Sequence, residues 1–135
     1  LKIVEELEVF FRNKKDVTFD FYYSSGIELL DSILDYEVAI FIDSIVSEEV
    51  GKISYLTLED ILLFPENPSV HSANFTTMIK LGMKIFPNRM PNQILFCAIG
   101  IYDPFTFSNE FSSILQESYV DILEELKEKI NSLTT

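Results

Sequence analysis

The sequence predicts an α/β fold. Two apolar runs, 38–42 (VAIFI) and 93–99 (QILFCAI), are continuous rather than alternating, as in strands covered on both faces. Stretches with apolar residues at helical spacing flank and separate them. The chain has 135 residues, 47% apolar and 13% aromatic, enough for a real core and for one domain over residues 1–135.

The elements follow in order. Residues 1–13 read as a helix, with Ile3, Val4, Leu7, Phe10 and Phe11 on one face. After a polar break at 13–16, residues 17–23 are rich in β-branched and aromatic side chains and read as a strand. Residues 26–34 form a short helix, with Ile27, Leu30 and Leu34 aligned. The strand 38–42 ends at Asp43, and 44–50 is a loop. Residues 52–57 read as a strand and 58–63 as a short helix. Pro65, Asn67 and Pro68 mark a loop that ends at His71. The helix 74–86 aligns Phe75, Met78, Ile79, Gly82 and Phe86. The strand 93–99 leads through a loop at 100–107 to a last helix, capped by Ser108 or Asn109 and running to about residue 131. Its face is Phe111, Ile114, Leu115, Ile122, Leu126 and Ile130, with Glu125 and Lys129 spaced to pair. The alternation implies a three-layer α/β/α sandwich around a twisted, mostly parallel sheet. A helix leads a fold in which a strand should come first, so the first strand is expected upstream of Leu1.

Charge and composition exclude several classes. With 22 acidic and 10 basic residues the net charge is −12, which opposes nucleic acid and anionic membrane surfaces. The longest apolar run, 94–101, falls well short of the roughly 20 residues of a membrane span. One cysteine, Cys97, leaves no disulfide framework or cysteine zinc site and suits the cytoplasm. Mid-strand among Phe96, Ala98 and Ile99, it reads as a buried structural thiol. The acids of both end helices read as solvated faces.

In open α/β sheets, ligands bind beyond the carboxyl ends of the strands. Asp43 stands there, either as a turn cap or as a functional carboxylate. His71 is the single histidine, either a satisfied structural residue or a ligand, read just before a helix N-terminus, whose dipole favours the neutral, metal-binding imidazole. A metal site needs a third ligand. Glu48 and Glu49 are available but read as surface loop. Ser24 and Ser25 read as caps rather than nucleophiles, and no residue can be assigned as catalytic. No nucleophile elbow, P-loop or dinucleotide motif is present.

Several segments together resemble the hydrogenase maturation endopeptidases, which trim the C-terminus of the large subunit of nickel-containing hydrogenases. They are Ser24-Ser25-Gly26-Ile27-Glu28-Leu29-Leu30, the run VAIFIDS at 38–44, Ser69-Val70-His71 before a helix, and ILFCAIGI at 94–101 with Pro104 and Phe111-Ser112. The resemblance covers essentially the whole chain and lies in the ordered set. It implies that Asp43 and His71 are two of three metal ligands. The third is an acid in the family's glycine-rich N-terminal turn, expected upstream of Leu1. It also implies that the metal is the nickel of the hydrogenase precursor, which is the partner, and that no organic cofactor is used. Tyr23 replaces a glycine, and Ser47-Glu48-Glu49-Val50-Gly51 replaces a Pro-Gly pair, which implies a divergent member with altered substrate choice. The alternative is a non-catalytic assembly or interaction domain, chaperone-like or receiver-like. A receiver would want a lysine near its last strand, and 93–103 contains none.

Overall fold

The computed structural model describes residues 2–21, 27–46, 48–63, 70–101 and 109–134, and within these every side chain except those of 2, 46, 70–74, 101 and 109–117. The order is α1 (Lys2–Phe10), α2 (Ile27–Ile33), β1 (Val38–Val46), β2 (Ile53–Thr57), α3 (Leu58–Leu63), α4 (Val70–Ile85), β3 (Gln93–Ile101) and α5 (Asn109–Thr134). The three strands form one sheet in the order β1-β3-β2.

Backbone hydrogen bonds give the strand directions. The Gln93 N–H donates to the Glu37 carbonyl at 3.2 Å, joining the starts of β3 and β1, so these two run parallel. The Gly51 N–H donates to the Gly100 carbonyl, and the Gly100 N–H to the Lys52 carbonyl, both at 2.9 Å. That joins the start of β2 to the end of β3, so this pair is antiparallel. The sheet is therefore mixed, and the α/β class holds. β1 and β3 have nine residues each. Carried along them, the register sets Asp43 level with Ala98 and Ile45 level with Gly100.

Gly51 is required at the entry to β2. Its φ is 83°, and the Lys52 N–H donates to the Glu49 carbonyl at 3.3 Å, closing a type II turn. Gly51 and Lys52 face Gly100 as two residues against one, a bulge with glycine in the left-handed position. A Cβ on Gly51 would lie 2.7 Å from Ser118 Oγ, so no other residue fits without movement.

The chain divides into two compact units, one of residues 1–19, 41–55 and 96–135, the other of 20–40 and 56–95. Every strand runs through both, and the carboxyl ends of β1 and β3 belong to the first.

In the first unit α1 lies along α5. Ile3, Leu7 and Phe11 are buried, as are Ile122, Leu126 and Ile130. The helices are parallel, because their contacts advance together. Glu6 stands beside Tyr119, Lys127 Nζ sits 4.2 Å above the Phe10 ring, and Lys14 Nζ, just past α1, reaches Thr134 Oγ1 at 2.7 Å. Val4 and Phe10 are not core: Phe10 is exposed and Val4 half-buried. The expected strand at 17–23 is corrected over its described part, since 17–21 does not form a strand. Strand propensity needs a pairing neighbour, and here Phe19 stacks on Phe11 instead, ring centroids 6.4 Å apart. Among the described residues, two helices therefore precede β1.

In the second unit α4 packs against α2 and α3. Phe75, Met78 and Ile79 are buried, with Leu30 of α2 and Ile61 of α3. The close approach depends on Gly82, where a Cβ would lie 2.6 Å from Leu30 Cδ1 and 2.7 Å from Met90 Sδ. α3 starts with a reciprocal cap: the Thr57 N–H donates to Asp60 Oδ2 at 2.9 Å and the Asp60 N–H to Thr57 Oγ1 at 3.3 Å. Two residues past the end of α2 stands Asp35, whose φ is 72°. Its N–H donates to the Arg89 carbonyl at 2.7 Å, and Arg89 returns two bonds to its carboxylate, at 3.0 and 2.7 Å.

Candidate functional site

The carboxyl ends of β1 and β3 form the sheet edge at which an α/β fold binds ligands. Asp43 is there, but not where expected. β1 continues to Val46, so Asp43 is inside the strand rather than the first residue past it, and 44–46 is not loop. The reason is visible in the residue types: Ile45 and Val46 are β-branched and extend the strand pattern beyond one exposed acid.

The Asp43 side chain is exposed, and its Oδ1 accepts the Ser44 N–H at 2.8 Å. In the parallel register, the N–H groups of 39, 41, 43 and 45 face β3, and that of Ser44 points away from it. Asp43 thus satisfies a donor on the far side of β1 from β3 and is held locally. The bond uses one of the roughly four acceptor sites of a carboxylate. It is the turn-like contact that a cap would make, yet the group stays open to an incoming cation.

The backbone of His71 is in the first turn of α4, which begins at Val70, four residues before the expected start at 74. Its N–H is among the first four of that helix, which have no intrahelical acceptor. The His71 side chain is outside the described residues, as are Ser24, Ser25, Ser108 and Pro104. Asp43 belongs to the first unit and His71 to the second. Among the described residues, no group of three or more His, Cys, Asp or Glu side chains converges. Glu48 and Glu49 are exposed, and Glu49 pairs with Lys52 at 2.8 Å, which fits their reading as surface acids.

Cys97 is fully buried, and that burial pushes its thiol up to about 12 against the pull of Lys129. It is a packing residue, not a nucleophile. Tyr55 lies level with it on β2, and its hydroxyl donates to Glu125 on α5. Burial, then that bond, raise the phenol above its ordinary range. Lys129 Nζ sits 4.8 Å over the Tyr55 ring. Glu125 and Lys129 therefore meet at Tyr55, and the ion pair expected between them is not among those of the described residues.

Two solved structures share this arrangement of elements. One is the hydrogenase maturating endopeptidase HybD from E. coli, with a TM-score of 0.57 and 20% identity over 95% of this chain and 82% of that one. The other is an endopeptidase from Escherichia coli solved in solution, with a TM-score of 0.58 and the same identity and coverage. The chain has the fold of a hydrogenase maturation endopeptidase. At 20% identity the likeness is one of fold, and it bears out the resemblance carried by the ordered motifs. No family model matches the chain, and no curated protein matches it in sequence. Among the described residues, no helix is long and apolar enough to cross a membrane.

Proposed function

We propose that this protein is a cytoplasmic endopeptidase that removes a C-terminal tail from the precursor of a nickel-containing hydrogenase large subunit after metal insertion. The reading is carried by one observation: the chain has the fold of a hydrogenase maturating endopeptidase and carries an exposed carboxylate, Asp43, toward the carboxyl end of β1. Asp43 and His71 serve as two of the ligands toward the nickel of the precursor. The donor set suits that metal, since imidazole and carboxylate bind nickel in oxygen–nitrogen sites. The nickel is part of the substrate.

Recognition places the peptide bond beyond the last metal-binding segment of the precursor, through proximity and orientation. Asp43 contributes a fixed oxygen on a strand rather than on a loop, and strands hold site residues more precisely than loops do. The nickel of the precursor would supply polarisation of a carbonyl or a water for hydrolysis.

Asp43→Ala and His71→Ala are each expected to abolish tail removal from a purified, nickel-loaded precursor. The Asp43 side chain is exposed, so the stability of Asp43→Ala should stay within about 0.5 kcal/mol of the parent. Normal processing by either variant would overturn the assignment.

A further inference from the structure

One face of β1 is covered at its start and becomes exposed toward its end. Along it Ala39 is 7% exposed, Phe41 is half-buried, Asp43 is exposed and Ile45 is 41% exposed. The opposite face, with Val38, Ile40, Ile42 and Ser44, stays half-buried throughout. The opening is thus one-sided and confined to the carboxyl end, where α/β sheets bind ligands. The level neighbours on β3 shrink along the same face, from Ile94 and Phe96 to Ala98 and Gly100. Directly level with Ile45, β3 therefore offers a glycine and no side chain, while Ala98 and Gly100 are themselves buried. A lone exposed isoleucine means little. This one shares a face with Asp43, two residues away and held by continuous strand, about 7 Å along β1.

We infer that Ile45 is a specificity-determining substrate contact: it forms the apolar wall of a subsite, beside Asp43, that takes an apolar side chain of the precursor peptide. The inference rests on the endopeptidase reading above. Its geometry follows from chain dimensions. An extended peptide advances about 3.3 Å per residue. The residue two positions from the one engaged at Asp43 therefore arrives at Ile45. Asp43 supplies the polar, metal-directed contact, and Ile45 reads the neighbouring side chain. Because β1 runs through both positions, their spacing is fixed before substrate arrives.

The test is steady-state cleavage of nickel-loaded precursor by the parent, Ile45→Ser and the milder Ile45→Val. A lost apolar contact made alike in ground and transition states raises KM and leaves kcat in place. Ile45→Ser should raise KM on the order of tenfold or more, with kcat within about twofold and Ile45→Val intermediate. Precursors carrying Ala or Leu at each position flanking the cut supply the second readout. The parent should prefer Leu at one position, and Ile45→Ser should lose that preference. If the parent cleaves and the Ile45 variants match it in KM and preference, this inference falls and the endopeptidase reading stands. If the parent binds precursor without cutting it, the endopeptidase reading falls, and weaker binding by Ile45→Ser still supports the contact. A parent that neither binds nor cuts precursor removes both.

Discussion

Asp43 and Cys97 show how far a residue type determines a role. Both were legible as residues: a polar break after an apolar run, and a small thiol inside one. The cysteine was read correctly because its apolar neighbours dictate burial. The aspartate was placed in the wrong backbone setting because one exposed acid looks like a strand end, whereas Ile45 and Val46 continue the strand. Buried titratable groups also predict the alkaline limit of the fold. Cys97 rises from 9.0 to about 12 and Tyr119 from 10.0 to about 12, both mainly through burial. The Tyr119 hydroxyl is excluded from solvent, and the Glu6 carboxylate beside it does not reach hydrogen-bond geometry. The unfolded chain releases these protons first, so the fold loses stability as pH rises. Denaturant midpoints should hold below about pH 9 and fall between roughly 9 and 12, with Tyr119→Phe and Cys97→Ala reducing the slope. An unchanged midpoint up to pH 12 would contradict the burial of both groups.

The elements divide by how local their causes are. α3, α4 and β2 were readable to within a few residues, since a cap, an apolar stripe and a β-branched run are local signals. The Thr57–Asp60 cap is expected to contribute on the order of 1 kcal/mol, so Thr57→Ala should lower the unfolding free energy by about that amount. A change of less than a few tenths would mean that the α3 N-terminus is held by something else. Gly51→Ala tests the entry to β2. Its left-handed backbone and the nearness of Ser118 both oppose a Cβ, so the variant should be destabilised by more than about 1 kcal/mol. Adding Ser118→Gly should recover part of that loss and leave the backbone part. What the sequence hid at this level was pairing. Nothing within residues 17–21 says that Phe19 will stack on Phe11, just past α1, rather than enter a sheet.

For the chain as a whole, the order of apolar runs and helical stretches was enough to name the fold class. The motif set pointed to the fold that the solved structures share. The direction of β2 was not legible, because it depends on the Gly51 bulge against Gly100, a contact across 49 positions of sequence. The stability of the first unit rests on the α1–α5 seam. Leu126 is fully buried there, so Leu126→Ala should cost about 2–5 kcal/mol in denaturant unfolding. The excess of acid stayed uninformative, and one exposed carboxylate on β1 carries the functional reading. The most direct measurement of that reading is to mix the protein with nickel-loaded and with nickel-free hydrogenase precursor and follow the C-terminal tail by mass spectrometry. Loss of the tail from the nickel-loaded precursor alone is the predicted result. Cleavage of both forms alike, or of neither, would contradict it.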